Sequence, residues 1–359
     1  MDLSPTTLLL ESSNFPNASS APITDHAVFL LASSTKLLAT VAVLQGVDKG
    51  LYSLDDDVSP ILPELGRSQI LKGFTEDDKP ILEDRQGPLT LRHLLTHASG
   101  VAYDGGDPLL ISNWTNLLRF EPGTAWSYGA SIDWAGKLLE RAAGTTLEDW
   151  MRKHIWAPLG VKTITFWPER ENLKDRIPTL VQKTSEGTFT EMNAPWDFIN
   201  ANSKDCFGGK GAYATMSDYL KVQRSILAND GRLPKPETVD QMFTPQLSEA
   251  SVKALEHGIK ASPMASLFIG EFRPDVSLNR GLGGILFVGT DVSSTPEGED
   301  RARRKQGTLS WGGLTNPIWI IDRDAGVALT FGTQVMPPGD GKVKDVIGEV
   351  VKAVYAAAG

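Results

Sequence analysis

Ser33 and Lys36, in the run Ala32-Ser33-Ser34-Thr35-Lys36-Leu37-Leu38, stand three residues apart at the head of a long apolar stretch. The residues that follow, Lys36 to Gly46, are helix-compatible and apolar on nearly every face, the pattern of a helix enclosed by protein. Positions three apart share a helix face, so the Lys36 amine can reach the Ser33 hydroxyl. A serine hydroxyl needs a neighbouring base, or a cation for its developing alkoxide, to act as a nucleophile at neutral pH. The N-terminal end of the helix adds partly positive N–H groups beside Ser33.

Two other segments carry groups that suit the same chemistry. Glu121-Pro122-Gly123-Thr124-Ala125-Trp126-Ser127-Tyr128-Gly129 precedes a helix expected over Ser131 to Ala143 and stopped by Gly144, which places Tyr128 on a loop at a helix mouth. Gly307-Thr308-Leu309-Ser310-Trp311-Gly312-Gly313-Leu314 reads as a strand whose paired glycines let a ligand approach the backbone. Its N–H groups can serve an oxyanion. Further strands are expected at Ile285 to Val288, Pro317 to Ile321 and Val327 to Phe331, with an amphipathic C-terminal helix marked by Val343, Val346, Ile347, Val350, Val351 and Val354. Thr146-Leu147-Glu148-Asp149 is a helix-capping start. The chain is expected to return to the sheet after about Phe207.

With these three pieces in order, the chain resembles the serine β-lactamase and penicillin-recognising superfamily, above all family VIII carboxylesterases and fungal acyltransferases of the lovastatin type. The likeness runs from about Phe29 to the C-terminus and includes Leu91 to Gly100, Asp133 to Lys137, Ala157 to Gly160 and Cys206 to Gly209. It implies an α/β (α+β) fold of β-lactamase/transpeptidase type, an antiparallel sheet flanked by helices. One catalytic domain over 1–359 would consist of a mainly helical subdomain at 48–204 and a sheet subdomain from 1–47 and 205–359. Carried over by position, Ser33 is the acylated nucleophile, Lys36 its general base, and Tyr128 the proton relay to leaving group or acceptor. The N–H groups of Ser33 and Leu314 form the oxyanion hole, and Trp311, Gly312 and Gly313 contact substrate.

Departures from the pattern select among chemistries. Tyr128 is followed by Gly129 and Ala130, where lactam-recognising relatives have an asparagine two residues after the tyrosine or serine. Trp311-Gly312-Gly313 replaces their Lys-Thr-Gly, which removes a carboxylate-binding cation. Ester cleavage or acyl transfer is therefore favoured over lactam hydrolysis. Only about thirty residues precede Ser33, fewer than the helix and two strands usual in the family; Thr6 to Glu11 is the candidate for one strand. A missing partner leaves the edge of Val327 to Phe331 open for association, so a homodimer is one expectation. The interval from Gly100 to Pro122 is short, which suits an open entrance.

Composition narrows the partners. A chain of 359 residues with 41% hydrophobic content can bury a large core. Its net charge of −9 argues against nucleic acid and anionic membranes. One cysteine, Cys206, excludes an internal disulfide framework and suits a reducing compartment. The first residues lack a basic, then apolar, signal pattern, and no stretch has the length of a membrane helix, so a cytoplasmic site is expected. No cofactor is implied: His93 and His97 lack the zinc-protease pattern and are expected to satisfy buried hydrogen bonds, and there is no phosphate loop. Asn17-Ala18-Ser19 and Asn113-Trp114-Thr115 match glycosylation acceptors, unused without a signal sequence. The acidic run Asp55 to Asp57 reads as solvated surface. So does the basic cluster Arg301, Arg303, Arg304 and Lys305 in a hairpin-like segment from Ser293, which is also a docking candidate for an acidic acyl-carrier protein.

The function expected is two-step acyl transfer: Ser33 takes an acyl group from an ester or thioester, most simply of a lipophilic secondary metabolite, and passes it to water or an alcohol. The rival from another class is a binding or scaffold protein that keeps the fold without catalysis, with β-lactamase activity behind both.

Overall fold

The computed structural model describes residues 23–103, 111, 117–192, 203–261, 272, 276–289, 291–294 and 300–358, with side chains left aside over 291–303. The expectations on Thr6 to Glu11, Asn17 and Asn113, and much of the Gly100 to Pro122 interval, lie outside those residues.

Helix formation after Ser33 follows the apolar run. The serine sits in a single 3-10 turn, Ala32–Ser34, that leads directly into a helix over Thr35–Asp48. Every residue from Thr35 to Gln45 is buried, as a stripe-free apolar sequence requires. One side packs on the helix Ser131–Ala143, which ends at Gly144 as expected.

Five antiparallel strands form the main sheet, in the order Val327–Phe331, Ile318–Asp322, Leu309–Gly312, Ile285–Phe287 and Leu278–Arg280. Leu309 pairs with Ile321 and Gly312 with Ile318. Strand alternation divides the side chains between two layers. Ile318 and Ile320 join Val327 and Leu329 under Ile347 and Val351 of the C-terminal helix Gly341–Ala358. Trp319 and Ile321 face the main core, which also contains Leu37, Leu38 and Val41 of the serine helix. The 3-10 turn with Ser33 contacts the strand Leu309–Gly312, while the helix that follows it packs on Ser131–Ala143. Among the described residues, Val327–Phe331 has a strand partner on one side only.

Several local expectations change in three dimensions. Among the described residues after Phe207, the short strand Tyr213–Ala214 and the helices Met216–Ala228, Pro236–Met242 and Glu249–Lys260 come before the sheet is reached at Leu278. A hairpin of Gln69–Phe74 with Pro80–Asp84 was not evident from the sequence. The charged segment after Ser293 is a hairpin of Asp291–Ser294 with Asp300–Arg304. Arg304 in it is not solvated: it is buried, with its guanidinium 4.8 Å over the Phe287 ring. The acidic run lies at the surface as expected, with Asp55 and Asp56 exposed; there Asp55 is paired with Arg92 at 2.7 Å and Asp57 accepts from the Ser59 N–H at 2.8 Å. No helix among the described residues is long and apolar enough to cross a membrane.

Candidate active site

The turn that carries Ser33 is held by residues about half the chain length away. Phe29–Leu30 pairs with Tyr213–Ala214, the Leu31 N–H bonds to Ala212 O at 2.9 Å, and the Tyr219 hydroxyl donates to Ser34 O at 2.8 Å. Ala32 adopts φ 45°, a left-handed backbone that a side-chain-bearing residue keeps only where its surroundings impose it. Strain of this kind directly before Ser33 fixes the direction of its hydroxyl.

The three residues marked by sequence meet. The Tyr128 hydroxyl donates to Ser33 Oγ at 2.6 Å, and Lys36 Nζ lies 3.4 Å from the same oxygen. Lys36 is fully buried. Its amine also reaches Gly209 O at 2.6 Å and Tyr103 Oη at 3.2 Å, and stands 4.7 Å over the Tyr128 ring. Tyr128 is wedged among rings, with centroids 4.9 Å from His97, 5.8 Å from Tyr103 and 5.2 Å from Trp311.

Gly313 brings the third segment against the serine turn. A Cβ there would fall 2.6 Å from Leu31 O and 3.2 Å from Ala32 Cβ, a distance only glycine permits. Leu314, half-buried, follows it and packs against the small cluster that contains Leu30 and Ala32. Trp311 is not an open pocket wall in this structure: it is fully buried, between Tyr128 and the guanidinium of Arg280, whose Cζ is 4.8 Å from its ring. Gly312 ends the strand.

The structure adds residues that spacing did not reveal. Asp133 is fully buried and accepts the Gly209 N–H at 2.9 Å, so its carboxyl group holds the residue whose carbonyl meets Lys36. Burial pushes the Asp133 carboxyl up from its ordinary range, against the pull of Lys36 and Lys210. The Tyr103 side chain is 42% exposed, yet its hydroxyl end points inward at Lys36. Burial of that end, then the neighbouring Tyr128 and Asp133, raise the phenol well above its usual value, so it stays protonated at neutral pH.

Of the histidines, His93 behaves as expected: its Nδ1 accepts the Thr90 N–H at 3.3 Å in a reciprocal cap of the helix Leu91–Thr96. His97 does not. It ends that helix at φ 60°, fully buried, and neither ring nitrogen has a hydrogen-bond partner. Burial, then the charges of Arg280 and Lys36, hold it well below the usual histidine range and therefore neutral. Cys206 is buried and its thiol is pushed up by that burial, as suits an inert core residue.

Gly209 is a sensitive point of this arrangement. A Cβ on it would sit 2.3 Å from Asp133 Oδ2, so Gly209→Ala must push aside either the buried Asp133 carboxyl group or the Gly209 backbone that meets Lys36. We expect a loss of about 1–3 kcal/mol in stability and roughly a hundred-fold lower turnover of an activated ester, the cost of an ångström-scale misplacement. Thermal denaturation and initial rates check both.

The arrangement pairs a serine, directly after the strained Ala32, with an amine and a phenol, the needs of a covalent acyl-transfer site. A family model for beta-lactamase matches residues 15–351. Lovastatin esterase of Penicillium rubens is 37% identical over 334 residues, covering 88% of this chain and 81% of that protein. Monacolin J acid methylbutanoyltransferase of Aspergillus terreus is 35% identical over 345 residues, covering 91% and 81%. A solved structure of simvastatin synthase from Aspergillus terreus, in a mutant form, matches with a TM-score of 0.85 at 36% identity, covering 96% of this chain and 84% of that one. Fold, family match and relatives agree that this chain belongs to the beta-lactamase family, as an enzyme of its esterase and acyltransferase kind.

Proposed function

We propose that the protein transfers an acyl group from an ester or thioester through Ser33, releasing it to water or to an alcohol. The observation that carries the reading is the convergence of Tyr128 Oη and Lys36 Nζ on Ser33 Oγ. The Ser33 proton passes to the Lys36–Tyr128 pair as Oγ bonds to the carbonyl carbon. The oxyanion is met by the N–H groups of Ser33 and Leu314. As the C–O or C–S bond breaks, Tyr128 returns the proton to the departing alcohol or thiol. Water or an acceptor alcohol then gives its proton to the same pair, attacks the acyl-enzyme and frees Ser33.

Two relatives are named for lovastatin and for monacolin J acid, which supports a lipophilic secondary-metabolite ester as substrate, with Trp311, Gly312 and Gly313 on its path. In this reading residues 48–204 form the helical subdomain and 1–47 with 205–359 the sheet subdomain, with the site at their junction. An acyl-carrier protein as donor would dock without Arg304, which is buried. A second copy of the chain would add at the Val327–Phe331 edge. Ala130 and Trp311 supply neither the amide nor the lysine of lactam recognition, so β-lactamase activity is not favoured.

The test is p-nitrophenyl butyrate with rapid mixing and intact mass. A burst of nitrophenol stoichiometric with enzyme, and a butyryl adduct, are expected. Neither would appear on a scaffold protein. Partition of that adduct between water and added alcohols then separates hydrolase from transferase.

A further inference from the structure

Against the rings of Tyr128 and Trp311 lies a set of buried donors that acyl transfer leaves unused. Arg280, the last residue of the strand Leu278–Arg280, is fully buried, and none of Nε, Nη1 and Nη2 meets a hydrogen-bond partner. His97, equally buried, has two unbonded ring nitrogens. Both border the same phenol: His97 directly, at 4.9 Å between rings, and Arg280 through Trp311, which is 5.2 Å from Tyr128. The two are also coupled electrostatically: the charge of Arg280 lowers the His97 pKa more than that of Lys36 does, and Tyr128 acts on Arg280.

An unpartnered guanidinium in a protein interior is costly, because burial strips its water without replacing it. Burial lowers its pKa to about 9, which still leaves it cationic at neutral pH. Trp311 offers the charge only a ring face. Lys36, by contrast, already has Ser33, Tyr103 and Gly209 around its amine, so its polar contacts are made within the serine site.

We infer that Arg280, flanked by His97, is a subsite for a carboxylate carried at the far end of the substrate, with Tyr128 and Trp311 between it and the reacting carbonyl. The inference rests on the acyl-transfer reading and specifies which molecules that site selects. A guanidinium presents parallel N–H groups that match the two oxygens of a carboxylate. A neutral imidazole adds one further donor. One cation balances one negative charge, whereas a phosphate dianion would leave charge uncompensated. The rings of Trp311 and Tyr128 suit the hydrocarbon that separates carboxylate from ester. Because Trp311 covers the guanidinium, a carboxylate reaches Arg280 by moving that indole aside.

Competitive inhibition of p-nitrophenyl butyrate turnover by octanoate and by octanamide, which differ in charge and little in shape, tests this. In the unmodified protein octanoate is expected to bind at least ten-fold more tightly than octanamide. Arg280→Met should remove that preference and Arg280→Lys retain part of it. Equal inhibition by the two compounds, as a pocket filled only by water would give, overturns the proposal, as does a preference that survives in Arg280→Met. Should the methionine variant not fold, the unmodified protein and the lysine variant still decide. Absence of the nitrophenol burst would instead defeat the acyl-transfer reading, so the two failures are distinguishable.

Discussion

Ser33→Ala is expected to eliminate the acyl adduct seen by intact mass and to lower turnover of p-nitrophenyl butyrate by roughly ten-thousand-fold or more, the scale of losing a nucleophile. Ser33 Oγ receives the Tyr128 hydroxyl at 2.6 Å and lies 3.4 Å from Lys36 Nζ, and no other residue brought forward by sequence occupies such a point. Alanine leaves the helix start intact, because the turn is held by the Leu31 N–H, the Tyr219 hydroxyl and the strand pair at Phe29–Leu30 rather than by the serine side chain. Folding and melting temperature should therefore change little. An adduct that persists on the alanine variant would transfer the nucleophile's role to another residue.

Tyr128→Phe should slow turnover by roughly a hundred- to ten-thousand-fold, the usual contribution of one general acid–base group. The substitution removes one oxygen and keeps the ring that packs against His97, Tyr103, Trp126 and Trp311. A loss confined to kcat would match a proton relay that acts in the transition state. A rise in KM with kcat intact would make Tyr128 a packing residue only.

Much of this site was legible because its parts are local. Ser33 and Lys36 declare themselves through a spacing of three on one helix face. The helix Ser131–Ala143 is bounded by Gly144, and Tyr128 is read from its position just before it. Strands such as Val327–Phe331 follow from continuous apolar runs between turn residues. The C-terminal helix follows from valines at helical spacing, and Ile347 and Val351 are indeed the ones it buries.

Other parts had no local signal. Tyr103, in a segment of mixed composition, meets Lys36 across 67 positions, and Gly209 O meets it across 173. Asp133 and Gly209 were present in matched stretches, yet their contact needs a glycine whose neighbour is a carboxylate 76 residues away. His97 was expected to be hydrogen-bonded, and Arg304 to be solvated. Both expectations came from residue type, which sets a preference and not a location. Nothing in the sequence placed Arg280 against Trp311.

By itself, then, the sequence determined the kind of chemistry: a serine with an amine on one helix turn, a tyrosine on a loop, a glycine pair on a strand, and no lysine or asparagine for a lactam. These are statements about residue type and short spacing, which helix and strand periodicity fix without reference to the rest of the chain. Only the tertiary structure decided what surrounds that chemistry, including the Asp133–Gly209 support behind Lys36 and the unpartnered Arg280 beside Trp311. Those contacts join segments far apart in the chain, and close packing of the whole core is what brings them together.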